Sequence, residues 1–212
     1  MKHFSLSALA LACMMLPLAQ ARAQGGSIDG RVTVPSPGVT GVVVFLVAER
    51  GTAAPVAAPV DAEINQLHLQ FSPGIIAVTP GSTIAFPNSD PVLHNVFHPS
   101  MGGGFDLGTY PQGERRSFTF KDEGAFVIFC HVHPEMVAYV VVVSSPYRAV
   151  TDDAGQFHFN GIAPGTYRVI TWHRRLRTQS QLVTIPANGT VRVDLSLTYG
   201  SPDKPRAISS RP

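Results

Sequence analysis

Proline and glycine interrupt this chain every several residues, 18 and 19 of them in 212. Proline removes a backbone donor and clashes inside a helix, and glycine weakens one. A chain punctuated this way leaves little room for helices. The runs between are short and rich in valine, isoleucine and phenylalanine, as over residues 41–48, 82–86 and 125–129. Turn signals bound them, among them Thr79-Pro80-Gly81, Asp122-Glu123-Gly124, Asp153-Ala154-Gly155, Ala163-Pro164-Gly165 and Ala187-Asn188-Gly189. The pattern predicts an all-β sandwich protein. Further strands are expected over 27–34, 66–71, 75–78, 116–120, 137–143, 156–160, 166–172, 181–185 and 190–197. The run 137–143 is almost wholly apolar, which predicts burial on both faces. The alanine- and proline-rich stretch 52–60 reads as a linker or exposed loop, and polar 200–212 as a disordered tail.

Residues 1–23 read as an export signal. Lys2 gives the positive start, residues 4–18 are mostly apolar, and Ala21-Arg22-Ala23 has the form of a cleavage site. The apolar stretch is too short and wrongly flanked for a membrane span, and no later run is long enough. No transmembrane segment is therefore expected. The leader holds Lys2 and Arg22 and no acidic residue, so 14 basic and 14 acidic groups remain beyond it. That balance argues against nucleic acid, which is bound by dense positive charge. The expected location is the periplasm of a Gram-negative bacterium.

Two cysteines occur, and Cys13 falls within the leader. Cys130 is then alone and can form no internal disulfide. A lone thiol in an oxidising compartment invites oxidation, so the plain reading is a buried, inert residue. Its neighbours argue otherwise. The run is Cys130-His131-Val132-His133-Pro134-Glu135-Met136, and His94-Asn95-Val96-Phe97 stands upstream at the end of an expected strand. One thiolate, two imidazoles and one thioether are what a mononuclear copper electron-transfer site needs. Sulfur suits Cu(I), and imidazole suits both oxidation states. His94 lies 36 residues before Cys130, so it must come from another part of the fold. Pro134 disfavours helix at His133, which leaves the 130–136 loop extended or turned.

The residues Phe86-Pro87-Asn88-Ser89-Asp90, His94-Asn95-Val96-Phe97, Cys130, His133-Pro134 and Met136 resemble the cupredoxin family, the plastocyanin and amicyanin type. The short Cys-x-x-His-Pro-x-Met loop is most similar to that of amicyanin. Phe105-Asp106-Leu107-Gly108-Thr109-Tyr110 and Ala138-Tyr139-Val140 are similar to cupredoxin-like proteins associated with methylamine utilisation. The resemblance implies a Greek-key β-sandwich over 64–145 binding one copper ion that cycles between Cu(I) and Cu(II). It implies that Cys130, His94 and His133 form a trigonal plane and that Met136 is the weak axial ligand. Asn95 would brace the ligand loop, and backbone N–H groups would donate to the cysteine sulfur. His133 would pass the electron to a redox partner through an apolar collar to which Val132, Pro134 and Val137 contribute. His98 and His131 depart from the family pattern. Each reads as a surface histidine, or as an extra ligand making a tetragonal or second copper site.

The stretch 149–172, with its Asp-Asp-Ala-Gly turn and Pro164-Gly165-Thr166-Tyr167 corner, resembles the carboxypeptidase regulatory-like β-sandwich family. Residues 147–199 are too few for a comfortable core, and the family's opening strands are missing from them. Strand-like runs near Gly30 and over 41–46 would supply them. The cupredoxin unit is therefore expected to be inserted into a loop of this sandwich, whose first part is 24–60. The alternative is a single cupredoxin with flanking strands. Trp172, His173, Arg174, Arg175 and Arg177 read as a solvated charged turn or a docking surface, and His68, His158 and His173 as structural.

These readings favour a carrier of single electrons between periplasmic partners. The alternative is a periplasmic copper chaperone or store with the same ligands. No catalytic residues are expected. A multicopper oxidase needs several His-x-His pairs, and only His131-Val132-His133 is present.

Overall fold

The computed structural model describes residues 25–36, 39–100 and 104–203, and every regular element there is a strand. The chain is thus all-β over the described residues, as its Pro/Gly punctuation requires. In chain order the strands are β1 Gly26–Thr33, β2 Val43–Ala48, β3 Asp61–Glu63, β4 Asn65–Leu67, β5 Gln70–Ser72 and β6 Ile75–Val78. There follow β7 Ser82–Pro87, β8 His94–His98, β9 Phe105–Tyr110, β10 Arg115–Phe120, β11 Gly124–Phe129 and β12 Val137–Val142. The last are β13 Arg148–Val150, β14 Gln156–Ile162, β15 Gly165–Trp172, β16 Ser180–Ile185 and β17 Thr190–Ser196. The leader, Met101 and the end of the tail from 204 lie outside the described residues.

The middle of the chain builds two facing sheets, β6-β12-β11-β8-β9 and β10-β7-β3. Ile84 and Phe86 from β7 and Phe120 from β10 meet Val96, Ile128, Ala138, Val140 and Val142 from the other sheet. The two ends of the chain build another pair, β14-β1-β17 and β13-β2-β15-β16. Here β2 lies antiparallel to β15, pairing Leu46 with Val169 and Val44 with Thr171, and β1 lies parallel to β17. Ile28, Phe157 and Leu195 fill the second core against Leu46, Tyr167 and Val183.

Strand β12 lies between the first core and a third apolar cluster. Side chains alternate across a strand. Ala138, Val140 and Val142 face the first core, while Val141 and Val143 pack with Val43, Phe45, Ile170 and Trp172. Both faces of 137–143 are therefore apolar because both are covered, as the run predicts. The same alternation splits β2, with Val44 and Leu46 on one side and Val43 and Phe45 on the other.

Three expectations need correction. The run 66–71 is not one strand but the hairpin β4–β5, turned by His68 and Leu69, both at φ 57°. Two consecutive left-handed residues match the twist of a tight hairpin, and neither is the glycine that would announce it. His94 opens β8 rather than closing a strand. Strands β3, β9 and β13 carry no strong apolar alternation and were not expected. The stretch 52–60 holds no strand, as its composition suggests.

Candidate metal centre

His94 enters β8 fully buried, between β11 and β9 of the five-stranded sheet. Cys130 follows β11 directly and is 2% exposed. His133 stands in the loop beyond and is half-buried. That loop is closed by the Met136 N–H, which donates to the His133 carbonyl at 3.0 Å, so Pro134 and Glu135 sit in a turn. Met136 itself is buried in the same core as Cys130. Both ends of the loop are held by paired strands, Phe129 opposite Val137.

Three donor atoms converge here. Cys130 Sγ lies 3.9 Å from His94 Nδ1 and 4.0 Å from His133 Nδ1, and the two ring nitrogens are 3.0 Å apart. The circumradius of a triangle with these sides is about 2.1 Å. That is the length of a bond from a first-row metal to an imidazole nitrogen, and close to one to a thiolate, roughly 2.0–2.3 Å. A single ion therefore fits between all three. Among the described residues this is the one such group of histidine, cysteine and acidic side chains.

The hydrogen bonds around the site orient those donors. Asp90 Oδ2 lies 2.8 Å from His94 Nε2. A carboxylate only accepts, so Nε2 carries the proton and Nδ1 turns its lone pair to the centre. Asp90 is in turn held by the β4–β5 turn, whose His68 and Leu69 N–H groups donate to its two oxygens at 2.6 and 2.8 Å. Burial alone would raise the Asp90 carboxyl. The Leu69 N–H, the His94 ring and the His68 N–H outweigh it and hold the group below its usual range.

Asn95 ties the two halves of the site together. Its N–H donates to Cys130 Sγ at 3.4 Å, and its Oδ1 accepts from the His131 N–H at 3.3 Å. Its Nδ2 donates to Asp106 Oδ1 at 2.6 Å. Asp106 also accepts from the Gly108 N–H, which more than any other contact lowers its carboxyl. His131 stacks on Phe97 with centroids 3.6 Å apart, and its Nε2 lies 3.4 Å from Asp106. His98 bonds the Val127 carbonyl through Nδ1. Neither His98 nor His131 belongs to the convergent group. Of the other histidines, His158 bridges Asp29 and Asn160 across β1 and β14, and His173 is buried.

Residues 58–143 match the model of copper binding proteins, plastocyanin/azurin family. This segment is a cupredoxin domain. Copper is accordingly its cofactor, and the donor set and its spacing suit that metal. Residues 135–198 match the carboxypeptidase regulatory-like domain, so the two matches share β12. Among solved structures the chain is similar to a purple cupredoxin from Nitrosopumilus maritimus, at 26% identity over 39% of this chain and 99% of that one, TM-score 0.36. Amicyanin from Paracoccus versutus shares 20% identity over 47% of this chain and 96% of that one, TM-score 0.36. A copper-containing nitrite reductase from Thermus scotoductus shares 24% identity over 45% of this chain, TM-score 0.36. The chain spans only a quarter of that enzyme's length. No curated protein matches.

Asp90 and Asp106 are the site residues that the motif reading passed over. Both lie inside quoted motifs, Asp90 four residues before His94 and Asp106 beginning the Asp-Leu-Gly-Thr run. An acidic residue near a candidate imidazole ligand was the available signal.

Proposed function

We propose that this chain is an exported carrier of single electrons. Cys130, His94 and His133 would hold the copper, Met136 would add a weak thioether ligand, and Asn95 would brace the ligand loop. The observation that carries this reading is the convergence of three donors from two separate segments, each anchored in a paired strand. When bound, copper supplies a one-electron couple. The protein would supply a braced frame for the ion. Asp90 fixes one imidazole, the Asn95 N–H bonds the sulfur, and packed strands hold both ends of the 130–136 loop.

Burial favours a carrier over a store. His94 and Cys130 are almost fully enclosed, which supports a fixed ion over one handed on. The half-buried His133 is the donor nearest solvent, beside Val132 at 45% exposure. A redox partner would dock there. No helix among the described residues is long and apolar enough to cross a membrane, and residues 1–23 have the form of an export signal. The pairing of β2 with β15 and of β1 with β14 and β17 supports insertion of the cupredoxin unit, 64–145, into a sandwich made of 24–60 and 147–199.

The test is the optical and electron-spin-resonance spectrum of the copper-loaded chain. An intense visible thiolate-to-copper band and reversible one-electron reduction are expected, and Cys130→Ser should abolish the band. A colourless tetragonal Cu(II) spectrum from the unmutated chain would overturn the reading.

A further inference from the structure

Trp172 is the one tryptophan of the chain, and it ends β15 with 4% exposure. Beyond it the backbone closes a tight turn. The Leu176 N–H donates to the His173 carbonyl at 3.1 Å, and the Arg175 N–H to His173 Nδ1 at 3.3 Å. Arg174 and Arg175 stand exposed at the apex of this turn. They rim a cavity of about 310 Å³ whose apolar side is Ile75, Val137, Tyr139 and Trp172. The cavity lies where the cupredoxin domain meets the second pair of sheets.

The chemistry of this cavity is one-sided. No carboxylate lines it, and neither arginine forms an ion pair among the described residues. The Arg174 guanidinium lies 5.7 Å from the Tyr139 ring centroid, and Tyr139 and Trp172 are 5.9 Å apart. His173 registers the excess positive field: burial first, then Arg175 and Arg174, push its ring down to about 4. Two guanidinium forks suit a planar carboxylate. The tyrosine and tryptophan beside them suit a planar apolar body. Ligand sites usually span about 300–1,000 Å³, so this one takes a ligand of a single ring.

We propose that the cavity binds a small aromatic carboxylate, its ring on the Tyr139–Trp172 wall and its charge on Arg174 and Arg175. The inference does not depend on the metal. Such a ligand touches both halves of the molecule at their junction.

The experiment titrates the full chain, without copper, with benzoate while following Trp172 emission. Acetate and benzyl alcohol serve as the charge-only and ring-only arms. Saturation-transfer magnetic resonance on benzoate reads the same binding without the reporter. Saturable binding of benzoate is expected, at least about tenfold tighter than of acetate or benzyl alcohol. The double variant Arg174→Ala with Arg175→Ala should weaken it about tenfold or more, because contacts to charged groups carry that much. Both side chains are exposed, so the circular dichroism and unfolding midpoint should stay unchanged. The proposal is overturned by benzoate binding no tighter than acetate, by equal binding in the double variant, or by no benzoate signal in either measurement.

Discussion

His94 can offer a lone pair from Nδ1 only while its proton is kept on Nε2, and Asp90 keeps it there. Removing the carboxylate frees the ring to rotate and to change tautomer. Losses of an outer hydrogen-bond partner typically lower metal affinity about 10–100-fold. Asp90→Ala should show that loss in a Cu(I) competition against a coloured chelator. Asp90→Asn should lose less, because its amide oxygen still accepts from Nε2. His173 gives a second prediction at this scale. Its ring is held down to about 4 in the folded chain, against 6.5 for an ordinary histidine. Between those values the unfolded chain binds more protons than the folded one. The stability contribution is therefore present above pH 6.5 and lost as pH falls toward 4. Urea unfolding at neutral pH and near pH 5 should show the drop, and His173→Gln should flatten it.

The turn before β14 is where strands on either side of the cupredoxin domain in sequence depend on each other. Gly155 sits at φ +73°, and its carbonyl accepts the Val32 N–H at 2.8 Å. A Cβ there would lie 2.2 Å from the Val32 carbonyl oxygen. Gly155→Ala combines that clash with a left-handed backbone, a conformation that costs a non-glycine residue about 1–3 kcal/mol. A fall of at least this size in urea-unfolding stability is expected. The Asp152–Gly155 turn was legible from sequence because its glycine is the residue such a backbone demands. The β4–β5 turn was not, because His68 and Leu69 adopt the same region with side chains that give no sign of it. What holds them is the Asp90 carboxylate, some twenty residues away. The same limit applies at the metal centre. Cys130, His133 and Met136 share one short loop, and their types and spacing stand out. Asp90 and Asp106 act through side-chain contacts made only once β8 lies between β9 and β11. Strand β9 was missed for a related reason. As an edge strand it buries Tyr110 fully but leaves most of its length half-covered, so no clean alternation develops.

A contiguous apolar cluster joins the two halves of the molecule. Val141 and Val143 meet Val43, Phe45, Ile170 and Trp172, with Ile75, Ala77 and Tyr139 around them. Neither half can present these side chains to water without exposing a large apolar patch, the hallmark of an interface. Residues 147–199 alone would also lack β1 and β2, which pair with β14, β17 and β15. That fragment should not fold by itself, whereas a stably folded fragment would argue for consecutive modules. In the whole chain the two halves should unfold together. Trp172 reports one side of the joint, and the accessibility of the Cys130 thiol reports the other. Their urea transitions should coincide, as two probes of one cooperative unit do. Phe45 is fully buried in the joint, and truncating a buried phenylalanine to alanine costs about 3–5 kcal/mol. If the halves are coupled, Phe45→Ala lowers both transitions together, although Phe45 lies outside the cupredoxin domain. A Cys130 transition that stayed in place while the Trp172 transition fell would show that the copper domain keeps its frame without its neighbour.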